Sequence, residues 1–332
     1  MKHSNNAYKA FLKTAGATFL LLGTLMASPF SASAQALGNP DLTQAGYYRM
    51  KVGDFEVTAL SDGTVPQNFH QLLTNAKPGE VDSLLKQNYQ TDPVELSVNA
   101  YLIKNGDKLI LVDAGTAGAY GPTLGHLTES LARSGYKPEQ IDAVLITHIH
   151  IDHTGGLMDG ARMAFPNATI YISKTELDFW LSPESKANAP ESLKTYYAQA
   201  EATVGPYLKA GKVKAFGNGK ELFPGITPIA TPGHTPGHTS FMLESGRQKL
   251  VFWGDIMHAA AVQFVDPSVT IVYDVDPQAA AIQRKKAFID AAKNGYWVAG
   301  DHLSYPGIGH IRANGSSYIW IPANYSTYSS GK

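Results

Sequence analysis

Residues 148–153 read His148-Ile149-His150-Ile151-Asp152-His153 and directly follow the apolar, β-branched run Ile141–Thr147. A continuous run of this kind predicts a strand that is buried on both faces. Alternate side chains of an extended segment point the same way, so the first two histidines of the motif can reach one metal ion together. The glycines of Thr154-Gly155-Gly156 let the chain turn, and the aspartate and last histidine can then face a second ion. Imidazole and carboxylate ligands suit zinc and similar divalent metals.

Three more segments carry candidate metal ligands at the ends of predicted strands. The loop Thr231–His238 holds two histidines between prolines and glycines, Asp255 follows the apolar run Lys249–Trp253, and His302 follows Tyr296–Gly300. Each alone has an ordinary alternative as a capping aspartate or a surface histidine, and a lone His-x-His is common by chance. Their joint occurrence at successive strand ends, where open sheets collect functional residues, predicts a single site.

Strand and helix signals alternate through both halves of the chain, which predicts sheets covered by helices. Asn105-Gly106 separates two strand-like runs and predicts a hairpin. The predicted elements are strands over Val52–Leu60 (ended by the turn signal Ser61–Thr64), Ser97–Ile103, Lys108–Val112, Thr169–Ser173, Lys249–Trp253 and Tyr296–Ala299, and helices over Pro122–Ser134, Glu176–Leu181, Glu191–Ala210 and Gln278–Lys293.

The composition excludes several kinds of site. The 332 residues carry a net charge of −1, so no basic field exists to hold a polyanion, and nucleic acid is not expected as a partner. The sequence contains no cysteine, which excludes thiolate zinc sites, disulfides and thiol nucleophiles. Any metal must therefore be held by imidazole and carboxylate groups.

The first residues of the chain have the features of a signal peptide. Lys2, Lys9 and Lys13 precede the apolar run Ala15–Ala27, and Ala32-Ser33-Ala34 offers a cleavage site. A stable membrane anchor is the disfavoured alternative, because the run is shorter than the ~20 residues that a span needs. We therefore expect a signal peptide over residues 1–34, a flexible lead-in over 35–46 and one domain over 47–332, secreted or periplasmic.

Together with Leu111-Val112-Asp113-Ala114-Gly115, these motifs resemble the metallo-β-lactamase superfamily over nearly the whole chain beyond the lead-in. The resemblance implies an α/β fold, the αββα sandwich, with two divalent metal ions in a cleft at one sheet edge. Zinc is the expected metal, and manganese, cobalt and iron fit the same ligands. The resemblance also implies a homodimer.

The resemblance assigns roles to individual residues. His238 and Asp113 match supporting residues, which orient ligands through hydrogen bonds. Asp255 matches a ligand that bridges the two ions, and it could also accept a proton during the reaction. Carried over by position, one ion binds His148, His150 and His234, the other binds Asp152, His153 and His302, and Asp255 binds both.

Ligand chemistry narrows the branch of the superfamily. Flavodiiron oxidoreductases have a glutamate where this chain has His150, persulfide dioxygenases keep a single iron, and true metallo-β-lactamases lack a bridging carboxylate like Asp255. Nucleic-acid-processing branches need a basic surface. Lactonases, aryl esterases, thioester hydrolases and organophosphate hydrolases remain. Within this group the chain is similar to the methyl parathion hydrolases in four segments, Gly46–Met50, Asp178–Leu181, Ala260–Phe264 and His302–Arg312.

Four residues expected near the substrate pocket depart from that resemblance, namely Leu72, His258, Ile271 and Tyr273. These departures disfavour efficient phosphotriester cleavage and favour flat aromatic lactones and esters. His258 has two interpretations of equal weight. It either faces the cleft, where it could assist the reaction, or is a buried histidine with a backbone partner.

Aromatic residues are expected to form the pocket walls. The resemblance matches Trp180 to a pocket tryptophan and, more approximately, Tyr120 and Tyr197 to aromatic positions. The alternative is ordinary core packing, which accounts for most aromatic residues.

These features predict a hydrolase that opens aromatic lactones or cleaves aryl esters, with organophosphates as side substrates. Two bound ions would lower the pKa of water to about 7, so no serine nucleophile is needed. A phosphotriesterase of the methyl parathion hydrolase type is the first alternative. A metal-loaded protein that binds ligands without turning them over is the second, and the full ligand set disfavours it.

Overall fold

The structure is a computed structural model that describes residues 44–217 and 219–327. The predicted signal peptide, residues 1–34, and the predicted lead-in as far as residue 43 lie outside the described residues. Within the described part, no helix combines the length and the apolar character that crossing a bilayer requires.

Two β-sheets form the centre of the fold. The strands, in chain order, are β1 (Tyr47–Val52), β2 (Phe55–Gln67), β3 (Leu73–Thr74), β4 (Val94–Asn105), β5 (Lys108–Val112), β6 (Ala143–Leu145), β7 (Met158–Asp159), β8 (Arg162–Met163), β9 (Thr169–Ser173), β10 (Val213–Phe216), β11 (Ile226–Ala230), β12 (Thr239–Ser245), β13 (Gln248–Phe252), β14 (Thr270–Ile271), β15 (Trp297–Ala299), β16 (Ile308–Asn314) and β17 (Ser317–Pro322). The first sheet has the order β1-β2-β4-β5-β6-β9-β10, and the second has the order β11-β12-β13-β15-β16-β17. Strands β3 and β14 form a small separate ladder, as do β7 and β8.

Helices accompany both sheets. They are α1 (Phe69–Leu72), α2 (Glu80–Gln87), α3 (Leu127–Arg133), α4 (Ile151–Thr154), α5 (Lys174–Trp180), α6 (Pro183–Asn188), α7 (Lys194–Thr203), α8 (Gly205–Lys209), α9 (Ala260–Gln263) and α10 (Pro277–Asn294). The sequence sets the ends of the longest helix, α10. Asp276 caps its start by accepting a hydrogen bond from the amide of Ala279, and Gly295 ends it in the left-handed conformation.

The alternation of side chains along each strand places them in separate layers. Leu111 of β5 packs with the helix layer of α3, α5 and α7, whereas its neighbour Val112 faces the second sheet and packs in one cluster with Phe241. On the far face of the second sheet, Val251 packs in one cluster with Phe288 of α10. The resulting order of helix, sheet, sheet and helix confirms the αββα sandwich.

Several predicted elements are confirmed. Strands β4 and β5 form the hairpin at Asn105-Gly106, and α10 covers the helix predicted over Gln278–Lys293. The run Ile141–Thr147 contains β6, which lies between β5 and β9 and is fully buried. Its ladder is shorter than the run because the chain leaves the sheet at Thr147, whose amide donates to Asp113.

The prediction of a strand over Val52–Leu60 is wrong in its bounds. A turn at Gly53 separates β1 from β2, and β2 then continues through the predicted turn Ser61–Thr64. The pairing of β2 with β4 shifts register between Ser61 and Gly63. This bulge absorbs the turn-forming residues without ending the strand.

The buried side chain of Asp62 at this bulge also explains why the helix predicted over Pro122–Ser134 begins only at Leu127. The Asp62 carboxylate accepts hydrogen bonds from the amides of Gly125 and Leu127 at 3.1 and 3.0 Å. These bonds hold the preceding residues in turns, so the first helical turn forms after them.

A further apolar cluster is built from α1, α2, α9 and the β3–β14 ladder. Phe69, Leu85, Leu96 and Val262 are among its buried members, and Tyr273 packs against it. This cluster provides one wall of the cavity described below.

Candidate metal centre

The motif residues lie together at one edge of the stacked sheets. His148 and His150 follow β6, and Asp152 and His153 lie on α4. His234 lies in the loop between β11 and β12, Asp255 follows β13, and His302 follows β15. All seven predicted ligand residues are thereby brought into one site, although they come from segments far apart in the chain.

Group 1 consists of His148, His150 and His234, which are all buried. One ring nitrogen from each and a carboxylate oxygen of Asp255 lie within 4.8 Å of one another. Nδ1 of His150 lies 3.1 Å from Nε2 of His148 and 3.0 Å from Nε2 of His234.

Group 2 consists of Asp152, His153 and His302, and its donor atoms also lie within 4.8 Å of one another and of Asp255. Nε2 of His302 is 3.3 Å from Oδ2 of Asp152, and Nε2 of His153 is 3.5 Å from the same oxygen. The side chain of Asp152 is 19% exposed, so this group is the more accessible of the two.

Asp255 stands between the two groups and gives one oxygen to each. Its Oδ2 lies 3.5 Å from Nε2 of His148 and 3.2 Å from Nε2 of His234. Its Oδ1 lies 3.2 Å from Nε2 of His153 and 3.3 Å from Nε2 of His302. This is the arrangement expected of a carboxylate that bridges two ions.

The outer nitrogens of the histidines show which ring atoms carry lone pairs. Nδ1 of His234 donates to Asp274 at 2.8 Å, and Nδ1 of His153 donates to Asp113 at 2.8 Å. Nδ1 of His302 donates to the carbonyl of Ser97 at 3.0 Å. When such a ring is neutral it has one donor and one acceptor, so its Nε2 then presents a lone pair to the centre.

A divalent metal fits this arrangement of acceptors. Nε2 of His153 and Oδ1 of Asp255 are buried and have no hydrogen-bond partner among the described residues. Several lone pairs and carboxylate oxygens thus converge in a buried space, which is costly unless a cation lies among them. The donor set, all nitrogen and oxygen, suits zinc and its neighbours in the first transition row.

The carboxylates and histidines of the centre stabilise each other's charge. Burial would lower the pKa of His153 and His302, but Asp255 and Asp152 raise it well above the ordinary value, and Asp255 and Asp274 raise the pKa of His234 to about 9. A metal ion that binds these three rings therefore displaces protons. Burial would raise the pKa of Asp255, but the neighbouring His153 and His302 hold it well below its usual range. Burial lowers the pKa of His148 and His150 well below the ordinary value, which keeps these rings neutral and available as ligands.

His238 supports the bridging carboxylate from behind. Its Nε2 accepts a hydrogen bond from the amide of Asp255 at 3.0 Å, and its Nδ1 contacts the hydroxyl of Thr231 at 2.8 Å. Burial and the nearby His234 lower its pKa to about 3, so it stays neutral and can accept this bond. Gly254 has a positive φ of 56°, and a Cβ there would lie 2.9 Å from both His238 and Thr147, so no larger residue fits.

Two acidic residues beside the ligands did not stand out as functional residues in the sequence. Asp274 holds His234, and its other oxygen accepts the amide of Ile271. Asp301 lies 3.2 Å from Nδ1 of His153. Burial and the neighbouring Asp113 raise the pKa of Asp301 well above its usual range, whereas His153 opposes this. Only Asp301 gave a signal in the sequence, because it precedes a predicted ligand at a strand end.

Both groups open on a cavity of about 190 Å³. A larger surface groove of about 830 Å³ holds none of the seven predicted ligands. The smaller cavity is lined by five of those ligands, by His258, by three tyrosines and by one amide and three aliphatic side chains, namely His150, Asp152, His234, Asp255, His302, His258, Tyr120, Tyr196, Tyr273, Gln67, Val65, Leu96 and Val98.

The prediction that Trp180 and Tyr197 form walls of the pocket is wrong. Trp180 and Tyr197 are 0% and 1% exposed within the helix layer and do not line the cavity. Tyr197, Ala200 and Val204 follow a helical spacing and belong to the same core cluster, which was the available sign that Tyr197 points inward. The adjacent Tyr196 lines the cavity instead, and its ring centroid is 5.0 Å from that of His150.

The four residues that depart from the resemblance to the methyl parathion hydrolases are also divided between the cavity and the core. Tyr273 and His258 line the cavity, whereas Ile271 and Leu72 do not. Ile271 is buried in the cluster of α1, α2 and α9, and Leu72 packs against that cluster. The short ladder between β3 and β14 explains this placement, because it turns Ile271 toward the core.

His258 faces the cavity and is also buried. Its Nε2 lies 3.0 Å from Oδ2 of Asp255, and its ring stacks on that of His302. Its amide donates to the side chain of Gln263 at 2.8 Å. Burial lowers the pKa of His258 to about 4, although Asp255 opposes the change. His258 is therefore buried as the second interpretation expected, but its ring faces the cavity and has no backbone partner among the described residues.

Comparisons with known proteins agree with this geometry. A family model described as the metallo-beta-lactamase superfamily matches residues 93–317. The crystal structure of the hydrolase AbOPH, in the beta-lactamase superfamily, is 38% identical with a TM-score of 0.82 and covers 86% of this chain and 99% of its own. AidC, a dizinc quorum-quenching lactonase in complex with a product, is 29% identical with a TM-score of 0.79 and covers 85% of this chain and 99% of its own.

Curated relatives match over shorter stretches. The exodeoxyribonuclease WalJ of Streptococcus pneumoniae is 32% identical over 122 residues, which are 37% of this chain and 38% of that protein. The N-acyl homoserine lactonase AttM of Rhizobium johnstonii is 24% identical over 149 residues, 40% of this chain and 50% of that protein. The chain thus spans between about two fifths and one half of the length of these relatives.

Proposed function

The chain belongs to the metallo-β-lactamase superfamily and is a metal-dependent hydrolase, and on this premise we propose that it opens lactone rings, with small aromatic lactones preferred. Aryl esters, whose leaving group is also a phenolate, are the second expected substrate class. The lactonase structure AidC, similar over most of both chains, supports the choice of lactones.

One observation carries the proposal: both ligand groups share Asp255 and open on one small cavity. Its volume of about 190 Å³ is below the roughly 300–1,000 Å³ typical of pockets for drug-sized ligands. A compact substrate of one or two rings fits such a space, whereas a polymer or a long chain would have to extend out of it.

The walls of the cavity suit a flat aromatic ring. Tyr120, Tyr196 and Tyr273 provide aromatic surface, and Leu96 and Val98 provide aliphatic surface. Burial raises the pKa of Tyr273 to about 12, so its hydroxyl stays protonated at neutral pH. Such hydroxyls can donate hydrogen bonds to a substrate oxygen.

Each part of the centre has a defined task in this reaction. When bound, two divalent ions supply acidified water and polarise the carbonyl oxygen. Asp255 contacts both ligand groups and so holds them at a fixed distance from each other. His238 accepts a hydrogen bond from the amide of Asp255 and so fixes its backbone. The phenolate that leaves an aromatic lactone is a weak base, so the cavity does not need a strong acid beside it.

The remaining sequence predictions are part of the same proposal. We propose that the protein acts outside the cytoplasm, as the signal-peptide features of residues 1–34 suggest, and as a homodimer. Phosphotriester hydrolysis of the methyl parathion hydrolase type stays the alternative activity, and ligand binding without turnover stays the second alternative.

A substrate panel tests the proposal. The purified protein, loaded with Zn²⁺, would be assayed with dihydrocoumarin, N-hexanoyl homoserine lactone, phenyl acetate, methyl parathion and a single-stranded DNA oligonucleotide. We expect the highest kcat/KM for dihydrocoumarin and a lower one for methyl parathion. A higher value for methyl parathion would favour the phosphotriesterase, and metal binding with no turnover of any substrate would favour the binding protein.

A further inference from the structure

Glu176 lies on α5, outside the predicted ligand set, and its side chain is buried. The carboxylate accepts four hydrogen bonds. Oε1 accepts from the amide of Ile149 at 2.8 Å and from the indole of Trp180 at 2.9 Å. Oε2 accepts from the hydroxyl of Thr235 at 2.9 Å and from the amide of Gly237 at 2.8 Å.

These bonds join the two loops that carry group 1. Ile149 lies between the ligands His148 and His150, and Thr235 directly follows the ligand His234. One oxygen of Glu176 holds the first loop and the other oxygen holds the second. The distance between the loops is therefore fixed through a single carboxylate.

A close contact between the second loop and α5 supports this role independently. A Cβ on Gly237 would lie 2.3 Å from the backbone nitrogen of Glu176 and 2.6 Å from Oγ of Ser173. The Ser173 hydroxyl donates to the carbonyl of Gly237 at 2.8 Å and also caps α5. The loop therefore rests directly on the first turn of the helix that carries Glu176.

Group 2 is held by other residues. His153 is supported by Asp113, and His302 is supported by the carbonyl of Ser97. Asp152 and His153 lie on α4, and the four bonds to Glu176 involve neither these residues nor His302.

We propose that Glu176 is a positioning residue that sets the spacing of His150 and His234. It thereby raises the metal affinity of group 1 and does not affect the metal affinity of group 2. The inference rests on the proposed two-metal function. All four partners of Glu176 donate hydrogens, so the site needs a side chain that only accepts. A glutamine has the same size but would turn an NH₂ group toward donors and leave buried hydrogens without acceptors.

A metal titration of Glu176→Gln tests the inference. The metal-free variant and the metal-free wild type would be titrated with Co²⁺ in the presence of a competing chelator, with the visible absorption of bound Co²⁺ as the signal. In the variant we expect one equivalent to bind about 10- to 100-fold more weakly, as is typical when a residue that orients a ligand is lost. The other equivalent should keep its wild-type affinity and spectrum.

Two further variants separate positioning from general stability. Thr235→Val removes one of the four donors while keeping the shape of the side chain, and it should weaken the same equivalent by a smaller factor. Leu131→Ala opens a cavity in the same helix layer, at α3, and removes none of the four hydrogen bonds of Glu176. It should lower the melting temperature and leave both affinities unchanged.

The outcomes are distinct. Wild type that binds fewer than two ions contradicts the proposed function. Two ions in the wild type with an unchanged titration of Glu176→Gln, or with both equivalents weakened alike, contradict this inference alone. An equal loss of affinity in Leu131→Ala also contradicts it. If Glu176→Gln does not fold, Thr235→Val decides, and an unchanged affinity there overturns the inference.

Discussion

The two ligand groups share Asp255, but different residues hold the ligands of each group in place. Group 1 has three buried imidazoles, and its two loops are tied to α5 through Glu176. Group 2 contains the carboxylate of Asp152, and its His153 is backed by Asp113, with Asp301 close by. Both groups have an aspartate behind one histidine, Asp274 behind His234 and Asp113 behind His153, but only group 1 has its two loops joined by Glu176. We therefore expect that metal binding by the two groups can be disturbed separately.

The largest effect is expected where the two groups meet. Asp255→Asn keeps the shape of the side chain but removes the charge that both groups use. We expect the loss of tight binding for both ions and a fall in kcat/KM for the aromatic lactone on the order of a thousandfold. Metal analysis by mass spectrometry and steady-state kinetics on the same sample would measure this. Retention of two ions with near wild-type turnover would show that the groups are independent.

The outer partners give an intermediate effect that sharpens the comparison. Asp274→Asn should weaken metal binding by group 1, and Asp113→Asn should weaken metal binding by group 2, each by about 10- to 100-fold. Asp274 lies 2.8 Å from Nδ1 of His234, and Asp113 lies 2.8 Å from Nδ1 of His153. Asp113 also accepts from the hydroxyl of Thr147, which lies 3.0 Å from Nδ1 of His148, so Asp113→Asn should in addition cause a smaller loss at group 1. Chelator titration should show one weakened equivalent in Asp274→Asn, one strongly and one slightly weakened equivalent in Asp113→Asn, and two strongly weakened equivalents in the double variant. If either single variant weakened both equivalents alike, the two groups would not be separable.

A smaller effect is expected at the cavity wall. Tyr196→Ala removes aromatic surface worth about 0.5–1.5 kcal/mol, which corresponds to a rise of about 2- to 12-fold in KM for an aromatic lactone. The metal content should not change. Tyr325→Ala, at a tyrosine that is 82% exposed, is the matched control and should leave KM unaltered. An unchanged KM in Tyr196→Ala would remove this residue from substrate binding.

The smallest effect is expected for the hydroxyl of Tyr273. It contacts Gln67 only at 3.4 Å, and a neutral hydrogen bond contributes about 1 kcal/mol net. Tyr273→Phe should therefore change kcat/KM by less than about tenfold, with both ions retained. A larger loss for lactones than for aryl esters would indicate that the hydroxyl acts on the opened ring. A loss of metal would mean that the cavity wall also orders the ligands.

The grouping of the seven candidate ligands could be predicted because its geometry is largely local. Four of the candidate ligands lie within residues 148–153, where the end of one strand and the turn after it fix their positions. The other three lie just after a strand or in a loop that contains glycine or proline. The αββα architecture followed from the resemblance that these motifs carry. Neither inference needed knowledge of long-range packing.

The cavity walls could not be predicted in the same way, because distant segments form them. Successive helical residues point about 100° apart, so one step along α7 decides whether Tyr196 or Tyr197 lines the cavity. Glu176 and Asp62 resemble ordinary surface acids in the sequence. Their roles become visible only in the structure, where each buried carboxylate accepts hydrogen bonds from backbone amides of distant segments. For His258 the sequence left two interpretations of equal weight, and only the packing of the folded chain places its ring at the cavity.

The most direct test of the two-metal account is an activity titration. Metal-free protein would receive Zn²⁺ in steps, and dihydrocoumarin opening would be followed after each addition. The account predicts that turnover rises until two equivalents are bound and then stays constant. Full turnover at one equivalent, or turnover that does not depend on added metal, would contradict it.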